Sequence, residues 1–186
     1  MNKPLLLAAA LALTFASALR AGEVEGVRMA DTVVAEGKTV KLNGMGLRTR
    51  IIFKVYVAGL YLENPSHDPS AIIQSDQVKR VELGIVRALT GAQVAEAIGQ
   101  GFEQNSKSQM GALKARLDKL ESWIPDVDKG DSIVLTYVPG KGTIVWARLT
   151  ERGVIEGKDF SDALLSVWLG PNPVQADLKR KLLGLE

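Results

Sequence analysis

Arg48, Arg50 and Lys54 fall inside GLRTRIIFKVYVAGLYL, a run from Gly46 to Leu62 that is otherwise among the most apolar in the chain, and Tyr56 follows close behind. With a strict period of two the run is one long strand. One face takes Leu47, Ile51, Phe53, Val55, Val57 and Tyr61. The other takes Arg48, Arg50, Lys54 and Tyr56, then Ile52, Ala58, Leu60 and Leu62. A face that is cationic at its start and apolar at its end fits a cleft with a charged mouth and a greasy interior. Edge strands also carry Lys and Arg to block aggregation, so a solvated face stays open beside the cleft. In a cleft, an arginine can hold a carboxylate in a charge-assisted, often bidentate contact while a hydrocarbon tail fills the interior. The competing role for Arg48 is a structural salt bridge, and for Arg50 and Lys54 the structural role is the expected one.

Other chemistries lack their residues. Cysteine is absent and His67, in the loop NPSHDPS, is the single histidine, so thiolate catalysis, disulfides and ordinary zinc sites have no ligands. Gly44-Met45-Gly46 precedes a strand and not a helix, which fails the context of a dinucleotide fingerprint. Asp126, Asp128 and Asp131 lack the rest of a calcium-loop pattern and suit a solvated turn. No metal and no cofactor is expected; a haem in the cleft would need a Tyr or Met axial ligand.

These residues must be positioned by the rest of the chain. MNKPLLLAAALALTFASALRAGEV combines one early cation, a short apolar stretch and small-residue exits after Ala18 or Ala21. That is the layout of a cleavable secretory signal peptide over residues 1–21, which predicts an exported protein, periplasmic or secreted, with one domain over 22–186. Removing Lys3 and Arg20 leaves 21 cations against 21 acids. A neutral domain has no global field to hold nucleic acid or an anionic membrane surface.

Val24–Met29, Thr39–Leu42, Leu47–Leu62 and Val78–Val86 are β-like runs, and Asn64–Ser70 has the composition of a loop. Thr90 is an N-cap for a helix carrying Val94, Ile98 and Phe102; a second helix carries Met110, Leu113, Leu117, Leu120 and Ile124 and stops at Pro125. SIVLTYV and TIVWARLT flank the turn Pro139-Gly140-Lys141-Gly142, and helices over Phe160–Leu169 and Val174–Leu183 close the chain. Trp146 and Trp168 are core aromatics within reach of the cleft. Strands on both sides of a helical block, with more helix at the end, make an α+β fold: a largely antiparallel sheet with helices on one face.

Asn43-Gly44 through FKVYVAGLYL, the helix entry Ala88-Leu89-Thr90-Gly91, and DFSDALLSVWLG (Asp159–Gly170) resemble the chalcone isomerase-like family, and in particular its exported bacterial branch. The resemblance covers nearly the whole mature chain. It implies a large antiparallel β-sheet covered on one face by a helical layer, with a ligand cleft between them. The family contains enzymes that close chalcones to flavanones, fatty-acid-binding members and non-catalytic members. Gly46-Leu47-Arg48 matches the segment holding the enzymes' essential arginine, whose role is to hold and polarise an anionic oxygen. Their strand threonine falls at Tyr56. Their catalytic tyrosine falls at Val94, their asparagine at Gly101, and a C-terminal polar position near Val167, beside Trp168. Val94, Gly101 and Val167 donate no side-chain hydrogen bond, so the polar network for cyclisation is mostly missing.

The residues therefore point to a non-catalytic role, and the expectation is a binder for a small amphipathic or carboxylate ligand, fatty-acid-like. Its ligand-binding positions are Arg48, Tyr56, Val94, Gly101, Val167 and Trp168. Two other readings compete: an intramolecular lyase or isomerase using Arg48 and Tyr56 as catalytic groups, and a scaffold whose cleft is filled by its own side chains. Neither nucleic acid nor stable membrane insertion after leader removal is expected; a protein partner is left open.

Overall fold

The computed structural model describes residues 21–186; the leader expected over residues 1–21 lies outside the described residues except for Ala21. Strands β1 (Ala21–Val24) and β2 (Val27–Ala30) form a small hairpin. A seven-stranded sheet follows in the order β3 (Thr32–Ala35), β4 (Lys38–Arg50), β5 (Phe53–Leu62), β6 (Lys79–Ile85), β7 (Ser132–Val138), β8 (Gly142–Ala147) and β9 (Thr150–Ile155). Neighbours are antiparallel throughout. Spatial order equals chain order, so the helices enter as excursions from a meander.

Helix α1 (Pro69–Gln74) bridges β5 and β6, with the Asp68 carboxylate accepting from the N–H groups of Ser70 and Ala71. Helices α2 (Gly91–Ser106) and α3 (Met110–Trp123) connect β6 to β7. Thr90 caps α2 as the sequence predicts: its hydroxyl accepts from Gln93 N–H while the Gln93 side chain accepts from Thr90 N–H. Helices α4 (Lys158–Leu169) and α5 (Ala176–Leu182) end the chain.

Three runs expected to be single strands are hairpins. Val24–Met29 folds at Glu25-Gly26, where both residues have positive φ. The long Leu47–Leu62 run folds at Ile51-Ile52, between β4 and β5. TIVWARLT folds at Arg148-Leu149, between β8 and β9. The last two turns contain none of the Gly, Asn, Asp or Pro residues that usually mark them. The expected loop Asn64–Ser70 is shortened by α1, which begins at Pro69.

Alternation within each strand then sorts the core. Ala58, Leu60 and Leu62 of β5, with Val81, Leu83 and Ile85 of β6, face Ile98 and Phe102 of α2, Leu117 and Leu120 of α3, and Phe160 and Leu164 of α4 in one buried cluster. The intervening Val57 and Tyr61 face the other way, packing with Met29, Val40 and Val78 under the β1–β2 hairpin. The helical layer thus lies on one face, and the opposite face is partly covered by that hairpin.

Candidate functional site: an arginine-rimmed cavity between sheet and helices

The β4–β5 hairpin carries the polar half of the site, and an irregularity in its pairing decides which residues reach it. Arg48 pairs with Tyr56, but Thr49 pairs with Lys54, so Val55 is an extra residue in β5. The bulge breaks the period of two. Phe53, Val55 and Tyr56 all line the same cavity, together with Arg48 and Arg50. The strict alternation expected from sequence separated Tyr56 from Phe53 and Val55 and placed Lys54 beside the arginines. Lys54 instead pairs with Glu25 of the β1–β2 turn at 2.8 Å.

The cavity has a volume of about 360 Å³, within the usual range for small-molecule sites. Leu83 lies beneath it, while Val94, Ala97 and Ile98 of α2 and Val167 and Trp168 of α4 form the helical wall. Arg87, in the connection from β6 to α2, completes the rim and stacks over the Phe53 ring at 4.6 Å from its centroid. Three arginines thus border an apolar space with no carboxylate among its lining residues. Arg48, Arg50 and Arg87 form no ion pair with any described acid.

Arg48 is held from the side by groups that leave its charge uncompensated. Its Nη1 donates to the Thr49 carbonyl and to Gln175 Oε1, the latter at 3.2 Å. The same Gln175 oxygen accepts from Thr49 N–H at 2.9 Å, and Gln175 Nε2 donates to the Leu47 carbonyl at 3.3 Å. Gln175 immediately precedes α5, so the C-terminal segment clamps the end of β4. The structural salt bridge considered for Arg48 is absent among the described residues. Its remaining guanidinium N–H groups stay available.

Tyr56 is partly buried at the cavity wall, where its hydroxyl accepts from Trp168 Nε1–H at 3.0 Å. Desolvation raises its pKa, against smaller opposing effects of Trp168 and Arg48, so the phenol keeps its proton. That proton has no protein acceptor among the described residues and is available to a ligand oxygen.

Of the six positions expected to bind ligand, Arg48, Tyr56, Val94, Val167 and Trp168 line this one cavity. Gly101 does not. It lies at the crossing of α2 and α4, where an added Cβ would stand 2.7 Å from Val167 Cγ1. Close packing of α2 on α4 accounts for glycine there. Arg50 is at the cavity rim and not in the structural pair expected for it. Trp146 is on β8, 38% exposed, and His67 contacts the Leu183 carbonyl; both are away from the cavity. Sequence reasoning missed Arg87 and Gln175. Arg87 had a visible signal, as a lone cation in the apolar entry IVRALTG, whereas Gln175 meets β4 only through the tertiary fold. Among the described residues no cluster of three His, Cys, Asp or Glu is placed to hold a metal.

A family model described as chalcone isomerase-like matches residues 21–184. The chain belongs to the chalcone isomerase-like family. Its fold is also that of an Arabidopsis thaliana fatty-acid binding protein of known crystal structure, with a TM-score of 0.70. That alignment covers 88% of this chain and 96% of the plant chain at 16% identity. No curated protein matches the chain in sequence. The α+β architecture expected for the family, an antiparallel sheet with one helical layer, is the one observed.

Proposed function

We propose that this chalcone isomerase-like protein binds a small amphipathic carboxylate, of the fatty-acid class, in the cavity and does not turn it over. The observation that carries this reading is the set of three rim arginines without a carboxylate partner, at one end of an otherwise apolar space. A ligand carboxylate would accept from Arg48 and from the Tyr56 hydroxyl, and its tail would lie against Val94, Ile98 and Leu83. The fatty-acid binding described for the plant structure of the same fold is consistent with this assignment. We further propose that the leader directs export and is removed after Ala18 or Ala21, which N-terminal sequencing of the mature protein would test.

Native mass spectrometry of the purified protein, followed by denaturing extraction, tests the binding reading. A stoichiometric carboxylate is expected, with affinity reduced about tenfold to a hundredfold in Arg48→Ala, as for a lost charge-assisted hydrogen bond. An empty protein that also fails to take up long-chain fatty acids would sink it. One observation favours a second reading: the neutral Tyr56 beside Arg48 is an acid next to an electrophile, the pair an intramolecular lyase would use. Product formation from a bound enone, abolished in Tyr56→Phe with binding retained, would support that reading instead.

A further inference from the structure

The hairpin tip at the cavity mouth is apolar where a turn is normally polar. Ile51 is 90% exposed and Ile52 82% exposed, and Phe53 beside them is half exposed. Ile51 also has φ of 59°, in the left-handed region that β-branched residues rarely occupy. The Arg148-Leu149 turn repeats the anomaly, with φ values of 52° and 60° and Leu149 87% exposed. Asn, Asp or Gly would fit both turns with less strain and better solvation. Neither folding nor solubility accounts for isoleucine and leucine there.

The two turns project from the same end of the sheet. Arg48 pairs with Tyr56, Tyr56 with Ile85, Gly84 with Ser132, and Ile133 with Ala147. That chain of pairings puts Ile51-Ile52, Arg87 and Arg148-Leu149 together at one edge, with the cavity opening beside Ile51 and Phe53. Arg48, Arg50 and Arg87 form an unpaired cationic collar behind the apolar tip.

We infer that this edge docks on the surface of an anionic lipid bilayer, with Ile51, Ile52 and Leu149 entering the headgroup boundary and the arginines meeting lipid phosphates. The collar supplies the charge complementarity, and the apolar tips supply the burial that a bilayer rewards and an aqueous turn does not. A near-neutral chain has no global attraction to anionic membranes; what this end offers is local, three arginines without an ion pair among the described residues, while Arg148 beside them is paired with Asp131. Among the described residues no helix is long and apolar enough to cross a membrane, so the contact is peripheral. The inference deepens the ligand-binding reading and rests on it for its purpose: the cavity mouth would face the phase in which amphipathic carboxylates reside.

The full chain has no cysteine, so single labels can be placed cleanly. Ile52→Cys marks the tip, and Lys141→Cys marks the β7–β8 turn at the opposite end of the sheet. Each carries an environment-sensitive fluorophore and is mixed with phosphatidylcholine vesicles, with or without phosphatidylglycerol. Expected is a blue shift at Ile52→Cys with the anionic vesicles alone and none at Lys141→Cys. Ile52→Ser/Leu149→Asn should weaken vesicle binding about tenfold or more. Neither of those two side chains lines the cavity, so fatty-acid affinity measured without vesicles should stay at the wild-type value. A silent tip label, equal shifts at both ends, or unchanged vesicle affinity in the double variant would overturn the docking. So would a wild-type dimer that the double variant dissociates, since the tip would then be covered by a second copy. An empty cavity with the tip response intact would instead overturn the ligand assignment and leave the docking in place.

Discussion

Gly101→Ala probes how α2 and α4 close the cavity. The new Cβ would stand 2.7, 2.8 and 3.0 Å from Cγ1, Cγ2 and Cβ of Val167, all inside normal contact and all belonging to one side chain. Val167 is buried on α4, and a β-branched residue in a helix has essentially one χ1 rotamer, so rotation offers no easy escape. Overpacking costs about 1–3 kcal/mol, and three contacts at 3.0 Å or less put this site in the upper part of that range, about 2–3 kcal/mol. Replacing glycine within a helix returns roughly 1 kcal/mol of propensity. The net expectation is a loss of about 1–2 kcal/mol, or about 3–6 °C in Tm for a domain of this size. Because Val167 also lines the cavity, its displacement should weaken fatty-acid binding as well. The assay is a double-mutant cycle by thermal and urea denaturation of wild type, Gly101→Ala, Val167→Ala and the pair. In the pair the added methyl enters space the valine vacated, so a favourable coupling of about 1–2 kcal/mol is expected. If Gly101→Ala alone is as stable as wild type, or the two changes simply add, close packing is not the reason for glycine here.

Gly44→Ala should be worse, roughly 3 kcal/mol or more, because its Cβ would meet the backbone carbonyls of Lys181 and Leu182, and no side chain can turn aside; chemical denaturation with loss of α5 protection in hydrogen exchange would show it. Gln175→Glu should put a carboxylate against Arg48 in place of the amide oxygen, lowering fatty-acid affinity about tenfold by competing for the guanidinium, at a stability cost of about 1 kcal/mol from losing the donor to the Leu47 carbonyl; unchanged affinity by titration calorimetry would remove Arg48 from the site. Lys79, fully buried with its Nζ donating to the Ile73 and Ser75 carbonyls at 2.8 and 2.9 Å, has its pKa lowered from 10.5 to about 8, chiefly by burial and against the pull of Asp162. Between those values the unfolded chain binds the extra proton, so stability should rise as pH increases from 8 toward 10.5, on the order of 3 kcal/mol relative to Lys79→Met. Parallel urea titrations that show no difference in pH slope between the two proteins would refute it.

How far the chain could be read depended on whether the signal was local. The Thr90 cap, the stripes Val94-Ile98-Phe102 and Leu113-Leu117-Leu120, and the Pro139-Gly140 turn are encoded within a few residues, and each appears where its spacing places it. Arg48, Tyr56, Val94, Val167 and Trp168 were nominated together and do surround one cavity. The turns at Ile51-Ile52 and Arg148-Leu149 were illegible because they carry strand-forming residues in left-handed or turn conformations. Gly101 falls outside the cavity lining, at the α2–α4 contact, and the absence of a side chain looks the same in a sequence whether it makes room for a ligand or for a neighbouring helix.

The sequence by itself determined the α+β class, the absence of cysteine chemistry, and the identity of the groups available to meet an anion. Those follow from residue type and short-range period, which need no partner. Only the tertiary structure decided where the cations go. The Val55 bulge sends Lys54 outward to Glu25 while leaving Arg48 and Arg50 at the cavity, and the β5–β6 register, with Tyr56 opposite Ile85, sets Arg87 at the same rim. Gln175 reaches Arg48 from 127 residues away in the chain. Register and long-range contact set these positions, because a single inserted residue reverses every side chain beyond it, and no local pattern records which strand will accept the insertion.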